Sequence, residues 1–356
     1  MVFKTFGWSF ALTIVASILG YLYAGVAGLS TVLILCVLEI SLSFDNAVVN
    51  ATVLVKMSAY WRRIFLTVGL LIAVFGMRLL FPLLVVTATS QISPMHAIAL
   101  ALEHGDSTVP GTYGYILNAA HPAIAAFGGT FLFMLFLNFV FEDREVRWLQ
   151  WIEVQLARIG RLESAPAVVA LAALICAAQF LAGDANRANV YLAGVAGIAG
   201  YLVISGIGEL LEDSKANSDD PDEAPSSTPV SGKAALFLFL YLEVLDASFS
   251  FDGVIGAFAL TADPILIALG LGVGALYVRS LTIFLVKKGV LRDYVYLEHG
   301  ALWAVGALAI VLLLSIKWQI PEAVTGLLGI VFIGAGFVSS IVHSRRQGSG
   351  ELAASS

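Results

Sequence analysis

Residues 39–46 read Glu-Ile-Ser-Leu-Ser-Phe-Asp-Asn, and residues 246–253 read Asp-Ala-Ser-Phe-Ser-Phe-Asp-Gly. Both fit acid-x-Ser-x-Ser-Phe-Asp, and both lie in the middle of an apolar stretch. The match continues outward in the same order. Gly69 precedes Arg78 by nine residues, as Gly270 precedes Arg279, and His121 precedes Gly128 by seven, as His299 precedes Gly306. Three matches in one order are hard to produce by chance, so the chain contains two related halves.

The surroundings are membrane-like. Of 356 residues, 59% are hydrophobic and 12% charged, with a mean hydropathy of +0.92. Soluble domains carry roughly 25% charged residues. This excludes an ordinary cytosolic enzyme, a nucleic-acid binder and a disordered scaffold. Ten stretches have about the 20 mostly apolar residues that a bilayer-spanning helix needs. They run over 7–27, 29–55, 63–88, 121–141, 166–183, 188–208, 234–260, 264–286, 298–316 and 320–342. A signal peptide is the alternative reading of the first. Cys36 and Cys176 both lie in apolar runs, which gives neither a disulfide framework nor a thiolate metal site.

Basic residues orient the chain. With the N-terminus inside, 15 Lys and Arg fall on the inner side, from Lys4 and Lys56 to Arg345 and Arg346; only Arg187 and Lys317 fall outside. This predicts cytoplasmic termini in a plasma (inner) membrane. Residues 142–164 carry Val146, Leu149, Ile152, Leu156 and Ile159 at helical spacing, which predicts an amphipathic inner-surface helix with Trp148 and Trp151 at the headgroups. Residues 212–233, with six acidic residues and three prolines, read as a flexible acidic cytoplasmic linker between the halves. It accounts for most of the net charge of −6. The division is then 1–28 as a first span, 29–211 as one half, 234–343 as the other, and 344–356 as a disordered tail. An extra outer loop over about 89–120 carries His96, Glu103, His104 and Asp106.

Spans two to four correspond to spans seven to nine, an odd offset, so the repeat is inverted. Inverted repeats with a polar site near the midplane are a transporter signature. At mid-bilayer each charge costs about 2.5–3.5 kcal/mol, so Glu39, Asp45, Glu243, Asp246 and Asp252 must face one another, a cation or water. Arg78 and Arg279 leave a deficit of positive charge, which a divalent cation or bound protons would close. Helical spacing puts Glu39, Ser43, Asn46 and Asn50 on one face and Glu243, Asp246, Ser250 and Gly253 on its counterpart. Asp45 and Asp252 lie about 120° around an ideal helix from the first acid, so all four acids share one site only if the helices unwind or the cavity wraps them. Such oxygen ligands suit Mg²⁺, Ca²⁺ or Mn²⁺. Histidine nitrogen from His121 and His299 would favour Mn²⁺. The plainer readings are structural acid–arginine ion pairs, small-residue packing contacts and interfacial histidines that cap helices. Glu243 has no acidic counterpart, since Cys36 aligns with it.

With Glu39-x5-Asp45-Asn46 followed by a second mid-membrane acid-x5-Asp, the sequence resembles the TerC (tellurium-resistance) integral membrane family. It is most similar to a long-linker bacterial branch of unassigned function. The resemblance covers about 29–342. It departs at Gly253, which stands where asparagine is usual. The family implies an all-α polytopic transporter, with Mn²⁺ export as its activity. Its acidic motif residues fall here on Glu39, Asp45, Asn46, Asp246 and Asp252.

Together these readings predict divalent-cation efflux, Mn²⁺ foremost, through a carboxylate site between spans two and seven. Glu39, Asp45, Asn46, Asp246 and Asp252 would hold the cation, with Ser43, Ser250, Asn50 and Glu243 as secondary ligands. Arg78 and Arg279 would pair with the acids when the site is empty, and protons are a candidate counter-ion. A small organic solute or amino-acid exporter, whose arginines grip a carboxylate, is the second reading. A membrane scaffold or sensor in metal or envelope stress, working through the 142–164 helix and the linker, is the third. No His-Glu-x-x-His, Gly-x-Ser-x-Gly or paired Gly-x-Gly-Asp motif points to an enzyme.

Overall fold

A computed structural model describes residues 2–354 except 91, 104, 106, 107, 145, 161, 163, 217–229, 262 and 290–293. Among the described residues there is no strand, only a single bridge between Met57 and Val230. The chain is an all-α polytopic membrane protein. Among the described residues, seven helical stretches are long and apolar enough to cross a bilayer.

Three of the predicted stretches are shaped by local features. Helix α1 (Val2–Leu42) runs through a sharp bend at Ala24 and Gly25, where Gly25 has φ 65°. Only glycine adopts that conformation without strain. The two limbs fold back on each other, since a Cβ on Gly20 would meet Val32, and one on Gly28 would meet the Gly20 carbonyl. One apolar stretch is thus a two-helix hairpin. Helix α8 (Ala165–Phe180) is apolar but has 16 residues. Helix α10 (Gly232–Leu260) is 29 residues long, enough to span, and carries Glu243, Asp246 and Asp252 along its length.

The second limb of α1 ends at Leu42. Ser43 departs from helical geometry (φ −101°, ψ 19°), and α2 (Phe44–Lys56) continues beyond it. The hydrogen-bond ladder survives, because Ser43 donates to the Glu39 carbonyl and accepts from the Ala47 N–H. The break is a bend and not a gap. In the second half α10 runs through its motif without interruption, so neither motif unwinds and only the first bends. The third span comprises α3 (Ala59–Ile64), π-helical segments over Phe65–Gly69 and Ile72–Leu80, and α4 (Phe81–Ser90).

The loop predicted over about 89–120 is shorter than expected. Ser93 caps α5 (Pro94–Leu102), with Pro94 in its first turn, and Thr112 caps α6 (Tyr113–Phe141). Pro122 therefore lies inside α6, and the helix starts eight residues before the predicted boundary at His121. His104 and Asp106 lie outside the described residues. Helix α7 (Gln150–Ile159) is the helical part of the predicted 142–164 segment. Helices α9 (Arg187–Ala216), α11 (Pro264–Lys288), α12 (Leu297–Ser315) and α13 (Glu322–Ala354) complete the chain. The tail predicted to be disordered continues α13 to Ala354, since the apolar span behind it supplies the helix nucleus. Most of the acidic linker lies outside the described residues. Its described end is tied down: Val230 donates to the Lys56 carbonyl and accepts from Ser58 N–H.

The largest core lies among α6, α8, α9 and α12, around Phe131, Leu132, Leu174 and Val305. The halves interlock, with α1 on α11, α2 and α10 together, and α6 on α12. Their contacts exchange under the sequence repeat. Asn46 bonds Asp246, and Gly253 lies beside Glu39. Gly69 abuts Phe239, and its counterpart Gly270 abuts Val32, the residue aligned with Phe239. Gly128 and Gly129 face Leu312 and Leu313, while Gly306 faces Phe136. The first two pairs are reciprocal, as a twofold relation between the halves requires, and the third is close to it.

Candidate functional site

The polar face predicted on the first motif exists. Glu39, Ser43, Asn46 and Asn50 are 2%, 4%, 2% and 1% exposed, and all four lie in the bundle interior. Opposite them, α10 buries Glu243 and Asp246. Burial of ionised groups is costly unless each is paired and hydrogen-bonded, and the partners are specific. Asp246 Oδ1 accepts from Asn46 Nδ2 at 2.5 Å and from Asn50 Nδ2 at 3.3 Å. Asp246 Oδ2 accepts from Arg279 Nη2 at 3.0 Å.

Arg279 reaches this point from α11 and crosses to the third span. Nη1 donates to the Phe65 carbonyl at 2.5 Å, Nη2 to the Gly69 carbonyl at 2.9 Å, and the guanidinium lies 3.9 Å from the centroid of the Phe65 ring. Both carbonyls belong to the π-helical segment over Phe65–Gly69. A π turn shifts the backbone bonding register and presents these oxygens to the guanidinium. Gly69 is required here by the close approach: a Cβ would collide with Glu243 Oε1 and stand 2.8 Å from Arg279 Nη1.

Glu243 is the acid that the repeat did not single out. Its carboxylate is 3.6 Å from Arg279 Nη2, and neither oxygen has a hydrogen-bond partner. Asn50 Oδ1 is likewise buried without one. Arg279 thus stands between two carboxylates, with Asp246 the nearer. Glu39 accepts from Ser43 Oγ at 3.1 Å and packs under Gly253 and Gly274 of the second half. Seven residues separate Glu39 from Asn46, about 10 Å along a helix. Glu39 and Asp246 therefore occupy adjoining levels of one buried polar seam instead of sharing a single point.

The side chains of Asp45, Arg78, Ser250 and Asp252 lie outside the described ones. Among the described residues, no group of three His, Cys, Asp or Glu is arranged to hold a metal ion. The histidines are not with the acids. His121 Nε2 is 3.2 Å from Ser315 Oγ, near Lys317 at one end of the bundle. His299 stacks edge-on against Phe139 and lies 3.4 Å from Glu153. Cys36 and Cys176 are free thiols.

Glu153 is a further site residue that the sequence reading passed over. Only 6% exposed, its Oε1 accepts from Trp303 Nε1 at 3.2 Å, while Oε2 accepts from the Trp148 backbone N–H at 3.0 Å. Its burial opposes ionisation, but the hydrogen bonds from His299, Trp303 and Leu149 outweigh this and hold the carboxyl below its ordinary range. Helix α7 is thereby anchored on α12. Trp148 bonds Ser339 of α13, and Trp151 remains exposed. The signal was present: Glu153 lies four residues after Leu149 and three before Leu156, on the apolar face itself.

A cavity of about 420 Å³ lies beside this region, with Val49, Thr52, Asn138, Ser205, Tyr241 and Glu298 among its walls. It gives the interior helices a partly polar opening at the end of the bundle that carries Arg144.

Fold and seam together define a multi-pass α-helical membrane protein with a buried, charged interface between two repeated halves. The chain belongs to the DUF475 family, described as a protein of unknown function, whose model matches residues 44–347. No curated protein and no solved structure matches it.

Proposed function

We propose that the protein is a transporter of a divalent cation, most specifically for Mn²⁺ efflux across a bacterial plasma membrane with both termini in the cytoplasm. One observation carries the reading. The seam between the halves buries Glu39, Asp246 and Glu243, with Arg279 as the described guanidinium beside the last two. Buried carboxylates in a membrane interior mark ion paths by default. The seam also supplies Asn46, Asn50 and Ser43 oxygens, which suit a hard cation. Asp45 and Asp252 would complete the ligand set. The choice of Mn²⁺ and of export rests on the resemblance to TerC proteins alone.

The exchange follows from charge. When the cation leaves, its charge must be replaced, by Arg279 on Asp246 or by protons on the remaining acids. The organic-solute reading is less supported, because Arg279 is committed to Asp246 and two backbone carbonyls and has little left to grip a substrate carboxylate.

The test is Mn²⁺ flux into proteoliposomes, with Ca²⁺ and Mg²⁺ as competitors. Wild type should carry the ion, and Asp45→Asn/Asp252→Asn should lose at least tenfold of the rate while remaining monodisperse. Normal flux in that double variant would refute the carboxylate site.

A further inference from the structure

We propose that a basic cavity at the Lys56 end of the bundle binds the phosphate group of an anionic lipid headgroup. The cavity measures about 530 Å³, and its walls include Thr52, Lys56, Arg62, Lys287, Lys288 and Glu298. It is distinct from the acidic seam and does not depend on which solute the protein carries.

Four cations converge from three places in the chain. Lys56 is in the last turn of α2, Arg62 lies on α3, and Lys287 and Lys288 end α11. The helix macrodipole favours a lysine at a helix C-terminus, and the inner-side bias favours lysines near a membrane surface. Each accounts for single residues. Neither accounts for cations of both halves gathered around one concavity, where their mutual repulsion is unfavourable. The one acid in the wall, Glu298, already faces Arg144 at 3.5 Å. Among the described residues, Lys56, Lys287 and Lys288 have no ion-pair partner.

The geometry selects phosphate. Arg62 Nε and Nη2 are held by the Leu54 and Val55 carbonyls at 2.7 and 2.5 Å. That fixes the guanidinium plane and leaves Nη1 uncommitted. A planar, pre-organised guanidinium flanked by lysine ammonium groups suits a phosphate oxygen set. Gly289 closes α11 in the left-handed conformation (φ 66°), and its N–H satisfies the Leu285 and Val286 carbonyls. The chain therefore turns away just past Lys288. Helix α11 is a complete candidate span, Pro264–Lys288, and a span of that length would bring its last two residues to headgroup level. Basic pockets between membrane helices are known binders of anionic headgroups.

The test is native mass spectrometry and thermal unfolding of the full chain in neutral detergent, titrated with phosphatidylglycerol, phosphatidylcholine or inorganic phosphate. Variants are Lys56→Gln/Lys287→Gln/Lys288→Gln and, as a control outside the cavity, Arg158→Gln. Phosphatidylglycerol should bind wild type and Arg158→Gln alike, raise their Tm, and bind the triple variant at least tenfold more weakly. Phosphatidylcholine should bind at least tenfold more weakly than phosphatidylglycerol. Without lipid the triple variant should unfold at or above the wild-type temperature, because repulsion is relieved; a merely structural role for the lysines would lower it. Inorganic phosphate that displaces the lipid would confirm the phosphate contact. Binding of phosphate without the anionic lipid would assign the cavity to a free anion and overturn the lipid source. Equal lipid binding by wild type and triple variant overturns the proposal. Should the triple variant fail to fold, Lys288→Gln alone should show about threefold weaker binding, and no change there overturns it equally.

Discussion

Arg279 lies in the bundle interior with its charge divided among a carboxylate, two carbonyl oxygens and an aromatic face. Removing one member of such a buried pair leaves the other uncompensated, at a cost of about 3–5 kcal/mol. Asp246→Asn and Arg279→Gln should each lose about that much stability in detergent thermal or denaturant unfolding. The double variant should lose less than the sum; strict additivity would mean that the two residues do not act as a pair. Gly69 offers a second check. A Cβ there meets Glu243 and Arg279, whereas a Cβ on Gly76 meets only Ile72 at an ordinary 3.4 Å. Gly69→Ala should cost about 1–3 kcal/mol through overpacking, and Gly76→Ala should be close to neutral. Comparable Tm values for the two would show that the close approach at Gly69 is not maintained in solution. At this scale the burial of Glu39, Asp246, Asn46, Asn50 and Arg279 was legible, because polar groups in apolar runs stand out. Glu243 was underrated because the repeat search rewards symmetry, and this acid breaks it.

At the scale of elements, α7 is the informative case. Its apolar spacing reads as a membrane-surface helix, yet its most buried described residue is Glu153, bound to His299 and Trp303 of α12. The carboxyl is held below its ordinary value of 4.5. A depressed carboxyl stabilises the docked form above about pH 4.5, and that contribution is lost as pH falls through the lowered value. Hydrogen exchange of the α7 amides should therefore show protection that declines at acid pH in wild type. Glu153→Gln should show weaker protection and no such decline. The same acid step in both would assign it to another group. The bend at Ser43 also belongs to this scale. A serine-rich tract permits a break in either motif, but packing chose one. Nothing in the local sequence distinguishes Ser43 from Ser250 strongly enough to say which.

For the whole molecule, the two halves share an extensive helix–helix interface. Helices α1, α2 and α6 of the first half pack against α10, α11 and α12 of the second. A protease site introduced within residues 217–229 and cut in detergent should leave both fragments co-eluting on gel filtration. Separation on cleavage would mean that the linker supplies most of the association. Where the acids sit relative to one another is decided here as well. The sequence permitted a single four-carboxylate site, whereas the antiparallel crossing sets Glu39 against Gly253 and Asp246 against Asn46, two levels of one seam.

The chain's own sequence determined that it crosses a membrane many times, that it has two related halves, and that Glu39, Asn46, Asn50 and Asp246 belong to a buried polar face. Those properties follow from composition, helical period and the cost of charge in hydrocarbon, all of which act locally along the chain. Tertiary structure alone decided the Gly25 hairpin, the π turns that present carbonyls to Arg279, the docking of Glu153, and the basic cavity between α2 and α11. Each joins residues far apart in sequence, and which of them meet depends on how the helices cross and how closely glycines let them approach.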